Sequence, residues 1–243
     1  MAKAYIGNNR VKKIFIGNTK IRKIYKGSTK VWSGASEVSY ICNGQTYMQE
    51  IDEGDNAVNP SGFVFPVSDA QLLGWTTDPN STTPMQEIVS TGDPMTVYAI
   101  WKYNDNANLG SASYSASRTS GGTSTYTLKS GIDTTKYSAF KITCTADVGL
   151  NKWATAVSSD VKIGWNDTGA FSTLRHRWWN SNYPDSGGFD ESGYPCYNGA
   201  TATINTTHAN SGLKNLTLVL AGDTTSGNIS ISKIQATGRT ITG

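Results

Sequence analysis

A ten-residue unit occurs three times in succession at the start of the chain, and it restricts that stretch to short β-hairpins. The copies begin at Ala4, Ile14 and Ile24. An aromatic stands at Tyr5, Phe15 and Tyr25, and glycine at Gly7, Gly17 and Gly27. A cation recurs at Arg10, Lys20 and Lys30, and valine or isoleucine at Val11, Ile21 and Val31. The Gly-Asn and Gly-Ser pairs supply positive φ at little steric cost, and the flanks are β-branched and aromatic. Each unit therefore predicts strand, tight turn, strand. A meander of such short strands buries little apolar surface, and isolated hairpins are marginal in water. Residues 1–34 are accordingly expected to form an arm that is stabilised by a partner.

Charge gives the arm a direction. Residues 1–34 hold nine of the chain's 21 lysines and arginines and none of its 18 acidic residues. The remaining residues carry a net charge of −6. A basic arm on a mildly acidic body points to an electronegative docking surface. Tyr5, Phe15, Tyr25 and Trp32 lie among Arg10, Lys20 and Lys30, and these seven residues are the expected docking set. Nucleic acid is the rival partner, since stacking and phosphate contact use the same residue types. It is disfavoured because alternation puts cations on turns and on one face, an ordinary guard of exposed strand edges.

Beyond the arm, Ser33-Gly34-Ala35-Ser36 reads as a small linker. Two further segments follow, 35–103 and 104–243. Charged residues make up only 16% of the chain, and Gly, Ser, Thr and Asn punctuate short alternating runs such as Tyr137–Ala146 and Leu213–Leu220. No amphipathic stretch of helical length is evident. The expected fold is all-β: a short-strand repeat arm, a small β-grasp-like domain, and a C-terminal β-sandwich of jelly-roll type.

Two resemblances sharpen this reading. Residues 37–102 carry Tyr40, Asn43-Gly44, Leu73-Gly74-Trp75-Thr76-Thr77 and Thr96-Val97-Tyr98-Ala99-Ile100-Trp101. This pattern resembles the internalin B-type (Listeria–Bacteroides) repeat, departing from it at Gln45 and in the less regular stretch 62–67. The resemblance implies a non-catalytic spacer or adhesion module, with Trp75, Tyr98 and Trp101 in its core. The decapeptide repeat is similar to openings of structural proteins of phages that infect Gram-positive bacteria. That likeness implies a virion appendage, either a head fibre or decoration protein or a tail fibre or receptor-binding protein. The arm would then contact other virion proteins, and the appendage is expected to be a homotrimer.

The strongest ligand-binding signal is aromatic. Trp165, Trp178, Trp179, Tyr183, Tyr194 and Tyr197 occur within one stretch, with Arg175 and Arg177 interleaved. Asn180–Tyr197 is rich in Gly, Pro and Ser and reads as a long loop, the kind that tends to carry function. Flat aromatics beside amide and charged donors suit a sugar face or a protein hot spot. A host-surface glycan is the expected ligand. On strand alternation Trp178 and Trp179 point to opposite faces.

Catalytic signals are weak. There is no Gly-x-Ser-x-Gly elbow and only two histidines, His176 and His208. The carboxylates Asp160, Asp167, Asp185, Asp190 and Glu191 would suit a glycosidase only at a fixed separation beside a cleft, and turn-forming Asp is commoner. Neither a C-x-x-C pair nor an Asp-x-Asp-x-Asp ladder is present, so neither metal nor cofactor is expected. Cys42, Cys144 and Cys196 are expected to be reduced, buried thiols. No apolar run approaches the ~18 residues of a membrane span, and no apolar leader opens the chain. The expectation is a non-enzymatic virion protein made in a host cytoplasm. A bacterial carbohydrate-binding module is the alternative, and a small glycan hydrolase the third reading.

Overall fold

The computed structural model describes residues 5–6, 8–11, 13–21, 23–58, 60–117, 121–150, 156–180 and 188–243. The chain is all-β, and one turn of 3₁₀ helix at Tyr197–Gly199 is the only helical element among these residues. Contacts divide it into two units, residues 1–103 with 240–243, and residues 104–239.

Each repeat closes on itself. Strand β1 (Tyr5–Ile6) pairs with β2 (Asn9–Arg10), β3 (Ile14–Ile16) with β4 (Thr19–Ile21), and β5 (Lys23–Lys26) with β6 (Thr29–Ser33). Gly17 and Gly27 take φ of 60° and 62° at the first turn position, where a II′ hairpin needs glycine. The expected meander is therefore three separate two-stranded hairpins among the described residues.

Strands β7 (Ala35–Cys42), β8 (Gln45–Asp52), β9 (Ala70–Thr76) and β10 (Met95–Tyr103) build the first unit's sheet. Asn43 and Gly44, both at positive φ, close the β7–β8 hairpin. β10 is the central strand. It pairs antiparallel with β9 on one side and parallel with β7 through Met95–Tyr98 on the other. The three sequence blocks carrying Tyr40, Trp75 and Trp101 thus lie on adjacent strands. Their side chains are buried with Val38, Val97 and Ala99, and Ala57, Val58, Phe63, Phe65 and Val67 pack onto the same cluster. Tyr40 meets Trp75 edge-on at 5.2 Å, an arrangement the ring quadrupoles favour.

The expected linker at 33–36 is part of this unit. Ala35 and Ser36 open β7, are buried, and pair with Asp52 and Ile51. Ser36 Oγ lies 3.0 Å from Ser90 Oγ, and Gly34 O accepts from Glu53 N at 2.9 Å. Small residues here reflect close packing rather than flexibility.

The second unit contains β11 (Ala107–Asn108), β12 (Ala112–Ser117), β13 (Thr123–Asp133), β14 (Tyr137–Leu150), β15 (Ala156–Trp165), β16 (Ala170–Asn180), β17 (Gly188–Asp190), β18 (Ala202–Thr207), β19 (Leu213–Gly222) and β20 (Thr224–Gly238). One sheet has the order β12-β20-β14-β18, with β11 also on β20. The other runs β13-β19-β15-β16-β17. All pairings are antiparallel. With β11 and β17 set aside, these are the two four-stranded sheets of a jelly roll. The sheets pack face to face: Phe140 of β14 meets Trp165 of β15 at 5.1 Å. Gly227 on β20 leaves room for the opposing Leu220, whose Cδ2 would lie 2.2 Å from an added Cβ.

The chain then returns to the first unit. Strand β21 (Thr240–Thr242) pairs with β10 at Ile100–Lys102, continuing the edge that β7 occupies further along β10. The expected third segment, 104–243, therefore keeps only residues 104–239. Thr240–Gly243 complete the other core, where Ile241 packs against the cluster of Trp75 and Trp101.

Candidate functional site

Strand β16 separates the aromatic and basic residues onto two faces. Its register pairs Arg175, Arg177 and Trp179 with Val161, Ser159 and Val157, which are buried on the inner face of β15. His176 and Trp178 pair with Asp160 and Ser158 on the outer face. Alternation in an extended strand accounts for the split.

The inner residues serve the fold. Arg175 is 7% exposed and holds Glu191, itself buried, through Nε–Oε2 at 2.7 Å and Nη2–Oε1 at 2.9 Å. Its Nη1 donates to Ala146 O at 3.1 Å and lies 3.0 Å from Asp147 Oδ1. Arg177 Nη1 donates to Val148 O at 3.1 Å. β18 pairs with β14 only as far as Cys144, so the two guanidinium groups satisfy carbonyls of β14 beyond the end of that ladder. An unpaired buried carbonyl is costly, and this is what fixes both arginines. Arg175 is therefore a structural cation rather than a ligand contact.

Trp165 is also removed from the expected ligand set. It is fully buried, with Nε1 donating to Thr206 Oγ1 at 2.9 Å and His208 edge-on at 4.9 Å. It ends an inward-facing run with Val161 and Ile163 and fills the space between the sheets. Trp179 is half-buried on the inner face, opposite Val157 and Phe189. Tyr183 lies outside the described residues.

What remains is an outer-face cluster. His176, Trp178, Asp190, Ser192 and Tyr194 line a depression of about 330 Å³. β17 brings Asp190 opposite Trp178. Tyr194 lies against His176 at 5.1 Å with a tilt of 31°. His176 Nδ1 is 2.7 Å from Asp160 Oδ1, and Lys162 Nζ is 3.0 Å from Asp160 Oδ2. Asp190 accepts from Ser192 Oγ at 2.9 Å and Ser192 N at 3.2 Å, which holds its carboxyl below the usual range. Tyr197, 41% exposed, sits on the following 3₁₀ turn. The site thus presents aromatic surface beside a carboxylate, a hydroxyl and an imidazole held in place by Asp160. Sequence pattern alone did not select Ser192, and it offered Asp160 only as a candidate acid–base carboxylate, because the β15–β16 ladder that sets Asp160 opposite His176 joins distant positions.

The second histidine is arranged differently. His208 Nε2 faces Asp167 at 3.1 and 3.2 Å, while Nδ1 faces Ala209 O at 2.7 Å and Ser211 Oγ at 3.4 Å. The tighter Nδ1 contact is to a carbonyl, so this Asp-His-Ser grouping lacks the hydroxyl-to-imidazole geometry of an activated nucleophile. Asp167 also pairs with Lys214 at 3.0 Å. Of the carboxylates considered for acid–base work, Asp160, Asp167, Asp190 and Glu191 are each engaged as described, and Asp185 lies outside the described residues. Among the described residues no three His, Cys, Asp or Glu side chains converge on a metal position.

In the arm, Phe15 and Tyr25 are more than half exposed, and Ile6 and Ile16 more so. The side chains of Tyr5, Arg10, Lys20 and Lys30 lie outside the description. Trp32 departs from the expected docking set. It is 3% exposed, with Nε1 donating to Val11 O at 3.3 Å, and belongs to the arm's own packing. Lys23 Nζ lies 2.5 Å from Glu50 and Lys13 Nζ 3.6 Å from Asp55, so part of the arm's charge is met within the first unit. Comparison with protein-family models and with curated proteins finds no match to the chain.

Proposed function

We propose that the chain is a structural or adhesive protein of a bacteriophage particle, with the basic hairpins as its attachment end and the jelly roll as its host-facing end. The observation that carries this reading is the set of exposed apolar side chains on the hairpins. Ile6, Phe15, Ile16 and Tyr25 stand out among lysines and arginines in a segment without an acidic residue. Apolar residues this concentrated on marginal hairpins are suited to burial against a second surface, and the cations select an acidic one. The likeness of the decapeptide units to phage structural proteins, and of residues 37–102 to an adhesion repeat, supports a virion appendage of the head-fibre or tail-fibre kind. A homotrimer fits such an appendage.

The outer-face cluster of the jelly roll is the ligand end in this reading. Trp178 and Tyr194 offer flat apolar faces, and Asp190, Ser192 and His176 offer polar groups for hydroxyls, the combination that a host-surface glycan requires. In this role the protein performs no catalysis and needs no cofactor. The test is direct. Purified particles, probed with an antibody against residues 104–239, should carry the protein at an ordered position by electron microscopy. Complete absence from particles of a phage that encodes it would sink the proposal.

A further inference from the structure

The three cysteines are not equivalent. Cys42 is buried alone in the first unit's core, where burial pushes its thiol up to about 11. Cys144 and Cys196 are 52 residues apart in sequence, yet both are buried together in the second unit. Cys144 sits on β14 opposite Ala202 and Ile231. Cys196 precedes the 3₁₀ turn, where its N–H donates to Leu174 O at 2.8 Å and fastens the segment to β16. Cys196 Sγ donates toward Cys144 O at 3.8 Å, which brings the two cysteines side by side.

We infer that Cys144 and Cys196 form a redox-active pair that closes to a disulfide when the protein meets a disulfide oxidant, tying the segment that carries Tyr194 and Tyr197 to β14. The step balances with an oxidant such as oxidised glutathione. The Cys196 thiolate attacks one of its sulfurs, forming a mixed disulfide and releasing one glutathione thiolate. Cys144 loses its proton to solvent and attacks Cys196 Sγ, releasing the second glutathione. Two protein thiols are oxidised by two electrons, and one disulfide is reduced to two thiols.

The surroundings give the two sulfurs different roles. The neighbouring Cys144 thiol lowers the Cys196 thiol to about 7 against the upward push of burial, helped by the Ala146 backbone and the Arg175 guanidinium. Cys144, beside that sulfur and buried, is pushed upward. Cys196 is therefore the attacking sulfur, because the thiolate is the nucleophile in exchange. Both sulfurs are shielded from solvent, so exchange proceeds when the segment around Cys196 lifts from β14 and β16 or while the chain folds. Closure links residues far apart in sequence, which removes much freedom from the unfolded chain. This inference is independent of the proposed function.

The test uses the full chain, equilibrated with mixtures of oxidised and reduced glutathione at pH 8, then alkylated and digested without reduction. The expected result is a crosslinked peptide pair containing Cys144 and Cys196, Cys42 alkylated, and a mass 2 Da below the reduced chain. The oxidised protein should unfold roughly 5–10 °C higher than the reduced one. Cys196→Ser should abolish the crosslink and Cys42→Ser should leave it. Because the wild-type peptide map is decisive on its own, an unfolded variant does not leave the matter open. Three free thiols under fully oxidising conditions, glutathione adducts without a crosslink, or a bond that uses Cys42 would each overturn the inference.

Discussion

Arg175 and Glu191 are locked together by two hydrogen bonds, at 2.7 and 2.9 Å, with both side chains withdrawn from solvent. Removing one partner of a buried pair strands the other charge, at a cost of ~3–5 kcal/mol. Arg175→Ala and Glu191→Ala should each lower the unfolding free energy of the jelly roll, read from urea titration, by that order. In the double variant the losses should be far from additive, because the second substitution removes the stranded charge. Unfolding curves followed by near-ultraviolet dichroism measure this.

Trp165 and Trp178 lie on neighbouring strands but should behave oppositely. Trp165→Ala opens a cavity between the sheets and should cost ~3–5 kcal/mol. Trp178→Ala, on the outer face, should change stability by less than about 1 kcal/mol while reducing binding to host cell walls at least tenfold. Pull-down with purified cell walls, on variants shown to be folded, distinguishes the two effects. Full binding by the Trp178 variant removes the outer-face cluster as the ligand site.

Tyr40 carries a cost that a conservative change can relieve. Its ring is fully buried against Trp75, and its hydroxyl has no hydrogen-bond partner among the described residues. Leaving a buried hydroxyl unsatisfied costs about 1–3 kcal/mol. Tyr40→Phe keeps the ring contact and should raise the thermal midpoint of the first unit, which calorimetry would show.

Asp167 sets a pH dependence. Lys214 and then His208 hold its carboxyl below the usual range in the folded state. A depressed folded value stabilises the protein above the unfolded value, and that contribution is lost as pH falls through the folded one. Asp167→Asn should therefore flatten the acid limb of the stability profile, with little difference between the proteins at the most acidic end. Midpoints measured between pH 2 and pH 6 test this.

In the arm, Phe15→Ser with Tyr25→Ser should leave the melting temperature within about 2 °C and abolish particle incorporation. Trp32→Ala should instead lower stability, since Trp32 is buried. Incorporation is read by immunoblotting of purified particles. Normal incorporation of the double variant would argue against attachment through the hairpins.

The all-β character was legible because alternation and turn chemistry are local. Residue by residue, Gly17, Gly27 and Asn43-Gly44 announce their hairpins, and Tyr137–Ala146 announces a half-buried strand. Adjacent tryptophans at 178 and 179 must face opposite ways wherever the strand lies. These properties follow from backbone sterics and a two-residue period, and neighbours in sequence are enough to specify them.

Pairing between distant segments is a different kind of information. Nothing local says that Arg175 has the edge of β14 to satisfy, that Trp165 fills the space between two sheets, or that Thr240–Thr242 returns to β10. The same holds for Cys144 and Cys196, whose approach across 52 residues depends on where β18 stops pairing with β14. A composition rich in aromatics and arginine signals a site, but burial decides which of them face solvent. Burial is a property of the whole packed sandwich, so Trp178 and Tyr194 were separated from Trp165 and Arg175 only when the two sheets came together.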